Sequence, residues 1–353
     1  MSDDTTARRK DAHLDLCATE EVAPAENATL FESVKLVHCA LPELAVDRVE
    51  LTSTLFGKTL KAPIVVTGMT GGTERAGQIN RDIASVAEEF GVAFGVGSQR
   101  AMAERPELAS TFAVRQSAPS TVIIGNIGVV QAARLGVDRV RWLMEALGAD
   151  GMAVHLNPGQ ELTQPEGDRD FRGGYEVIGL LSKALGSRLL VKETGCGLSP
   201  RVARRLVDVG VENLDVSGLG GTSWVRVEQL RASGAAREVG ALFSGWGIPT
   251  AAAVASVRRA VGPGVKLIAS GGMRTGLDVA KALVLGADFG GMALPLFRAH
   301  QAGGVAAVRT ALGTVLTALR QAMVLTGSAT VREFQASPRV VTGELKDWLE
   351  ALS

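Results

Sequence analysis

The chain alternates short apolar segments with amphipathic stretches and glycine turns from about residue 60 onward. This alternation predicts repeated units of strand and helix around a parallel sheet. Eight of the apolar segments are nearly continuous, which is typical of strands covered on both faces. They span residues 62–66, 92–96, 121–124, 152–155, 189–192, 213–216, 266–269 and 290–294.

The stretches between these strands have the apolar spacing of helices. The predicted helices span residues 77–89, 107–117, 138–147, 176–185, 199–209, 249–261 and 275–285. Several are followed by a glycine, a common residue at helix ends. Eight such units in about 240 residues match a closed barrel, whereas doubly wound sheets usually have fewer strands. We therefore expect an α/β fold, a (β/α)8 TIM barrel.

Residues outside the barrel form a leading and a trailing segment. Residues 1–60 mix charges, prolines and short apolar runs, and we expect an N-terminal arm or cap packed on the barrel. The barrel itself should span residues 61–300. Residues 301–353 should be C-terminal helices of the same domain. The amphipathic stretch 307–325 is expected to close the barrel and to contribute an oligomer contact.

Charge and composition limit the kinds of partner that the chain is expected to bind. The 37 Lys and Arg residues balance the 37 Asp and Glu residues, and aromatic residues make up only 4%, so we expect no nucleic-acid binding. No apolar run approaches the roughly 18 residues that span a bilayer, and the polar start lacks a signal-peptide pattern. We therefore expect no membrane binding and a cytoplasmic location. Three widely spaced cysteines, Cys17, Cys39 and Cys196, predict neither disulfides nor structural zinc.

Polar groups interrupt seven of the predicted strands at their carboxyl ends, where barrels place their active sites. Any one of these groups could simply form a turn, but seven such groups in succession on one face indicate a functional site. They lie at residues 67–72, 97–100, 125–128, 155–157, 192–194, 215–218 and 270–274.

The segment 269–278 predicts a phosphate site. It follows strand seven and opens a helix, so its glycines let backbone N–H groups and the positive helix end approach a phosphate. Gly290 and Gly291 follow at strand eight, and these two loops form the phosphate site in many barrels. No nicotinamide fingerprint follows an early strand. Flavin mononucleotide (FMN) is therefore the candidate ligand, with its ring against residues 68–70.

Lys192 ends an apolar strand, where a lysine must be paired or face a water-filled mouth. Near the pyrimidine edge of a flavin it would stabilise the anionic reduced ring. An ion pair with Glu161 or Glu193 explains its position equally well. The sequence leaves both interpretations open.

The loop His155-Leu-Asn-Pro-Gly-Gln-Glu161, continuing to Arg169, resembles that of the type 2 isopentenyl diphosphate isomerases. These are FMN-dependent barrel enzymes that interconvert isopentenyl and dimethylallyl diphosphates. The resemblance covers nearly the whole chain. Its further motifs are Arg9-Lys10-Asp-Ala-His13, Thr67-Gly-Met-Thr-Gly-Gly72, Gly97-Ser-Gln-Arg100, Gly125-Asn126, Val191-Lys-Glu193, Gly220-Gly-Thr222, Trp246-Gly-Ile-Pro-Thr250 and Ser270-Gly-Gly-Met-Arg274.

The resemblance implies roles for individual residues. It implies catalytic roles for Gln160, Lys192 and His155, and magnesium coordination by Glu161. It implies substrate contacts from Arg9, Lys10, His13, Ser98, Gln99, Arg100, Asn157 and Gln160. It implies FMN contacts from Thr67, Gly68, Met69, Thr70, Ser98, Asn126, Lys192, Ser217, Thr222, Gly271, Gly272, Arg274, Ala293 and Leu294.

The activity implied is the reversible isomerisation of isopentenyl diphosphate to dimethylallyl diphosphate in isoprenoid biosynthesis. Moving the double bond requires proton transfer at carbon, and reduced FMN is the acid–base group that fits. NADPH would serve only to reduce the flavin, and Mg²⁺ would help to hold the diphosphate. Arg9 and Lys10 would then make the N-terminal arm a lid over the substrate. The resemblance also implies a homo-oligomer, a tetramer or octamer.

Two other functions fit parts of the pattern. An FMN-dependent 2-hydroxy acid oxidase or dehydrogenase could share the phosphate loop, but it needs a histidine base after a late strand. The late histidine here, His300, falls in a predicted helix. The other alternative is a flavin- or prenyl-diphosphate-binding protein that has lost its catalytic activity, and intact Gln160, Glu161 and Lys192 argue against it.

Overall fold

A computed structural model describes residues 3–19, 21–24 and 28–353, with side chains from residue 8 onward. Eight parallel strands form a closed barrel. Strand β8 pairs with β1 from Gly290 opposite Ile64 to Met292 opposite Val66, which completes the ring. The strands are β1 (Ile64–Val66), β2 (Ala93–Gly95), β3 (Ile123–Gly128), β4 (Gly151–Leu156), β5 (Leu189–Glu193), β6 (Asn213–Asp215), β7 (Lys266–Ala269) and β8 (Phe289–Met292). The predicted TIM barrel is confirmed, and each predicted apolar segment overlaps one of these strands.

A small apolar cluster fills the barrel. Inward-facing residues of the strands, among them Ile124, Leu190 and Phe289, pack with Leu55 and Leu60. These two leucines lie on a hairpin of strands Ser53–Leu55 and Lys58–Leu60. The hairpin therefore plugs the amino end of the barrel, and the carboxyl ends of the strands are left for the functional site.

An outer layer of helices covers the barrel. Their apolar faces pack on the strands in one large cluster, and several start at a side-chain cap such as Thr73, Ser199 or Thr275. The long helices that follow the strands, with the exception of β2, are Glu74–Phe90, Val129–Ala146, Gly174–Leu185, Pro200–Asp208, Thr250–Val261, Gly276–Val284 and Leu294–Val324.

The predicted helix over residues 107–117 is wrong. The chain forms a short helix, Arg100–Glu104, and then a 3₁₀ segment, Pro106–Thr111. Proline at 106 holds Arg105 in an extended conformation. The Thr111 hydroxyl donates to the Leu108 carbonyl at 2.6 Å, a local bond that competes with helix.

Other elements lie outside the predicted pattern. The N-terminal segment contains a helix, Asp3–Thr19, and its strand Val34–Leu36 pairs antiparallel with Arg339–Val341 near the C-terminus. The remaining helices are Pro158–Thr163, Trp224–Arg231, Gly234–Leu242, Val331–Gln335 and Gly343–Ala351, with 3₁₀ turns at Phe31–Ser33, Val46–Arg48 and Gly186–Arg188.

The helix Leu294–Val324 is long and apolar enough to cross a membrane by length and composition. Non-helical dihedral angles at Gly303 and Gly304 break it into two parts. The second part buries Val308, Leu312 and Val315 on one face and packs on the helices Glu74–Phe90 and Gly276–Val284. Arg309 pairs with Glu89 at 2.8 Å. In this fold the helix therefore closes the barrel, as its amphipathic pattern predicts.

Candidate active site

The carboxyl ends of the strands open into one cleft beneath the N-terminal helix. The cleft is lined by every residue assigned from the resemblance except Gln99. Residues far apart in sequence, such as Arg9, Glu161, Lys192 and Leu294, therefore meet at one place.

Gln99 does not face the cleft. Its side chain is fully buried, donates to the Leu143 carbonyl at 2.9 Å and accepts from the Asn126 amide at 2.9 Å. A side chain with both ends bonded inside the protein has nothing left for a substrate. Gln99 instead holds the loop that carries Asn126, and we do not propose it as a substrate contact.

Glycines bring two loops close together at one side of the cleft. Gly271 and Gly272 have φ of +99° and +83°, a conformation that favours glycine. A Cβ at Gly272 would lie 2.6 Å from the Gly220 carbonyl oxygen. Arg274 donates to that same carbonyl at 3.1 Å. The bare backbone of these loops forms a surface that a phosphate can approach closely.

The helix beside this loop is capped at its start by its own side chains. Thr275 and Asp278 form a capping box at the start of the helix Gly276–Val284, and Asp278 also accepts from the Arg274 amide at 3.0 Å. The carboxylate thus binds the two amides that precede the helix, and the Thr275 hydroxyl accepts from the Asp278 amide at 3.2 Å. The amides of Gly276 and Leu277 are not part of this capping box, so phosphate binding by the positive end of the helix stays a prediction, beside the glycine loops.

Lys192 forms neither of the ion pairs considered from the sequence. Its ammonium donates to the carbonyl of Glu193 and lies 3.8 Å from Asp215 Oδ2. The Glu193 carboxylate instead accepts from backbone N–H groups, including those of Thr194 and Gly195 at 2.6 Å each. Burial raises the pKa of Glu193, against the opposing effect of these N–H donors and of Lys192. Glu193 thereby fixes the loop that follows β5.

His155 is held in one tautomer. Its Nδ1 lies 2.8 Å from Asn126 Oδ1, and Asn126 Nδ2 donates to the Val96 carbonyl. Asn126 Oδ1 is therefore the acceptor, and Nδ1 of the imidazole carries the proton. Burial and the nearby charges of Lys192 and Lys10 lower the pKa of His155 to about 3. The ring is neutral in the free enzyme, with Nε2 available as an acceptor.

Three cations meet where the N-terminal helix crosses the cleft. Lys10 donates to the Ser98 carbonyl at 3.2 Å. Arg9 lies 3.5 Å from Glu166, and Arg100 lies 3.0 Å from Glu104. Burial, together with the charges of Arg9 and Arg100, lowers the pKa of Lys10 to about 7. Such a cluster is unfavourable by itself and favours an anionic ligand of high charge.

Glu161 is the candidate metal ligand. Its Oε1 accepts from Asn157 Nδ2 at 3.0 Å and its Oε2 accepts from the Asp168 amide at 2.8 Å. Each carboxylate oxygen keeps a free lone pair, so the group can bind a hard cation. The described residues contain no group of three or more His, Cys, Asp or Glu suited to a metal. A Mg²⁺ ion at Glu161 would therefore depend on substrate phosphate and water for its other ligands.

The sequence reasoning missed Glu228. This fully buried carboxylate accepts from His13 Nε2 at 3.0 Å and from Gln160 Nε2 at 3.2 Å, and it also pairs with Arg231. Burial alone would raise the pKa of Glu228, but the His13 hydrogen bond and the charges of His13 and Arg231 lower it. Glu228 thus links the N-terminal helix to Gln160. In the sequence, the i, i+3 spacing of Glu228 and Arg231 is typical of an ion pair on a helix surface. This spacing does not indicate a buried residue of the site.

Comparison with known proteins identifies the family to which this chain belongs. A family model described as FMN-dependent dehydrogenase matches residues 132–341. The isopentenyl-diphosphate delta-isomerase of Metallosphaera sedula is 44% identical over 349 residues, which cover 97% of this chain and 94% of that protein. The enzyme of the same name from Aeropyrum pernix is 45% identical over 356 residues, covering 99% and 94% respectively.

A solved structure has a similar fold. A mandelate oxidase variant with an FMN monooxide adduct superposes with a TM-score of 0.67 at 18% identity, covering 96% of this chain and 100% of that one. At this identity the likeness concerns the fold alone. The two isomerases, by contrast, match in sequence from end to end. The chain belongs to the FMN-dependent, type 2 family of isopentenyl-diphosphate delta-isomerases.

Proposed function

We propose that this cleft interconverts isopentenyl and dimethylallyl diphosphates, with Arg9, Lys10 and Arg100 holding the diphosphate. The observation that carries the proposal is the meeting of these three cations with Glu161 above a glycine-lined barrel mouth. The test is to incubate purified, flavin-loaded enzyme with isopentenyl diphosphate and follow the new alkene by NMR. Formation of dimethylallyl diphosphate only under reducing conditions supports the proposal.

The residues present fit an FMN. Gly271 and Gly272, with Ala293 and Leu294 opposite, leave backbone exposed for its phosphate. Glycine is required at position 68 because a Cβ there would meet the Val96 carbonyl group, so the loops after β1 and β2 lie backbone to backbone where they line the cleft. Further contacts would come from Thr67, Met69, Thr70, Ser98, Asn126, Ser217, Thr222 and Arg274. Reduced FMN supplies an acid–base group strong enough for proton transfer at carbon, without net oxidation or reduction.

The chain's own residues orient the substrate around that group. Gln160 is held between Asn157, which donates to its Oε1 at 3.2 Å, and Glu228, which accepts from its Nε2 at 3.2 Å. A side chain fixed at both ends can place the alkene or pass a proton in one direction. Lys192 would stabilise negative charge on the flavin. The N-terminal helix above them would exclude water.

The oxidase alternative lacks its base. His300 lies on the helix Leu294–Val324 and pairs with Asp82 at 2.9 Å on the outer layer. It does not line the cleft. The structural likeness to an oxidase therefore does not extend to the histidine that such a reaction requires.

Several finer features complete the proposal. We propose Mg²⁺ at Glu161, NADPH as the reductant of the flavin, and a homo-oligomer, a tetramer or octamer, in the cytoplasm. The support for Mg²⁺ is the chemistry of a single carboxylate beside a predicted diphosphate site. The support for a reductant is that only the reduced flavin has the required basicity.

Gly272→Val is expected to give protein with little or no bound flavin, because the added side chain would meet the Gly220 backbone and fill the phosphate loop. Gly264→Val is the matched control, since a Cβ at Gly264 meets no atom within 4 Å. Flavin absorbance per mole of folded protein is the measurement. Stoichiometric FMN in the Gly272 variant would show that the phosphate lies elsewhere.

Glu161→Gln is expected to shift the magnesium dependence of activity to about tenfold higher concentration or more, because an amide is a weaker ligand for Mg²⁺. Flavin content should stay unchanged. The exposed Glu176→Gln change serves as the control. A magnesium titration that superposes on that of the parent enzyme would exclude Glu161 as the ligand.

The affinity for the diphosphate is expected to fall as pH rises above about 7. Lys10 loses its proton there in the free enzyme, whereas the bound diphosphate favours the ammonium, so binding must take up a proton. Lys10→Arg keeps its charge at all these pH values. The KM of this variant should rise less steeply between about pH 6.5 and 9. Parallel KM profiles for the two proteins would contradict the role of Lys10.

A further inference from the structure

Asp215 is a buried carboxylate beside the residues that line the cleft, and one of its oxygens has no hydrogen-bond partner. Its Oδ1 accepts from the Ser270 hydroxyl at 2.6 Å and from the Ser217 amide at 3.1 Å. Its Oδ2 is the buried side-chain polar atom that has no hydrogen-bond partner within the described parts of the chain. Asp215 itself is 1% exposed. Because buried polar atoms are almost always satisfied, this oxygen requires an explanation.

The Lys192 ammonium is the charged group that approaches Asp215 Oδ2. Lys192 and Asp215 are directly opposite each other in the register of β5 and β6. The ammonium lies 3.8 Å from Oδ2, and both side chains are buried. Since Ser270 and the Ser217 amide hold Oδ1, the carboxylate cannot turn away, and Oδ2 stays directed at Lys192. A small movement of the flexible lysine would convert this approach into a hydrogen-bonded ion pair.

Asp215 also contacts the cleft residues through Oδ1. This oxygen accepts a hydrogen bond from the amide of Ser217, whose φ of +39° is unfavourable for a non-glycine residue. Ser217 and Ser270 both line the cleft. One carboxylate therefore contacts three cleft residues, although it does not line the cleft itself.

We propose that Asp215 is a positioning residue that holds the Lys192 ammonium at the flavin and limits how much of its positive charge the flavin experiences. The inference rests on the proposed placement of Lys192 beside FMN. Without the carboxylate, the lysine charge would be uncompensated. The anionic reduced flavin would then be stabilised relative to the oxidised form.

The midpoint potential of the bound flavin measures this effect without reference to turnover. Asp215→Asn should move the potential to more positive values, and Lys192→Met should move it to more negative values. In the Lys192→Met background, a buried Asp215 without its cation should take up a proton. Asp215→Asn should then add no further shift, so the double-mutant cycle should be strongly non-additive.

The experiment is an anaerobic reductive titration of the four holoenzymes: parent, two single variants and the double variant. Equal shifts from Asp215→Asn in both lysine backgrounds, or no shift in either, would overturn the proposal. Asp215→Ser is the second neutral variant in case Asp215→Asn loses flavin. If both lose flavin while Lys192→Met retains it, Asp215 supports the fold rather than Lys192, and the proposal fails.

The same data separate this inference from the proposed function. A Lys192→Met enzyme with the parent's potential and spectrum would mean that Lys192 does not lie at the flavin, which contradicts the proposed placement. A shift from Lys192→Met without any shift from Asp215→Asn would leave that placement standing and contradict only the role of Asp215.

Discussion

The double change Arg9→Met and Lys10→Met is expected to lower kcat/KM about 10²- to 10⁴-fold, since each charge-assisted hydrogen bond to a diphosphate is worth about 1.5 to 3 kcal/mol. Both cations lie in the cleft on the N-terminal helix. Their loss should raise KM, and the weaker closure should also lower kcat. Steady-state kinetics with saturating FMN, NADPH and magnesium provide the measurement. Deletion of residues 1–10 should reproduce the loss.

Arg75→Met is the matched control for this change. Arg75 pairs with Asp15 of the same helix at 2.7 Å, but both side chains are exposed and outside the cleft. An exposed pair contributes little to stability, so this variant should behave like the parent. Flavin content and thermal unfolding should be unchanged in all variants. Parent-like kinetics in the Arg9 and Lys10 double variant would show that the helix is not part of the substrate site.

Glu228→Gln is expected to lower kcat/KM by about 100-fold or more, because two charge-assisted hydrogen bonds are weakened at once. The amide keeps the size of the side chain, but it cannot match the carboxylate as acceptor for both His13 and Arg231. Gln160 then loses its fixed orientation. Kinetics together with flavin absorbance test this, and the flavin should remain bound.

Glu166→Gln is the control for Glu228. Glu166 approaches Arg9 and Arg231 at 3.5 Å each, and its side chain is 42% exposed. Its loss should therefore cost only a small factor. Equal effects from the two changes would mean that general charge near Arg9, rather than the buried Glu228 contacts, accounts for the loss.

The barrel was predictable from sequence because its strands are buried on both faces. Segments such as 189–192 and 266–269 are apolar almost throughout, and such segments must be covered on both faces, here by the barrel interior and by the outer helices. The helices Trp224–Arg231 and Gly234–Leu242 were missed. They lie in an insertion after β6, where exposed apolar residues such as Val239 and Leu242 obscure the amphipathic pattern.

For the site, the sequence predicted which residues line the cleft but not how their side chains are oriented. Motifs identified the residues that line the cleft, because polar groups at strand ends must meet there. The orientation of a side chain is set by its neighbours, which sequence does not show. Gln99 turns inward because Leu143 and Asn126 bond both of its ends. Lys192 meets Asp215 rather than Glu161 or Glu193 because β5 and β6 are adjacent in register.

The central claim is that this cleft isomerises its substrate on a flavin that is reduced but not consumed. The most direct measurement reduces the bound FMN once, without oxygen, using one equivalent of dithionite, and then adds excess isopentenyl diphosphate. The account predicts many molecules of dimethylallyl diphosphate per flavin, with the reduced flavin spectrum unchanged at the end. No conversion, or one product for each reducing equivalent with the flavin reoxidised, would contradict it.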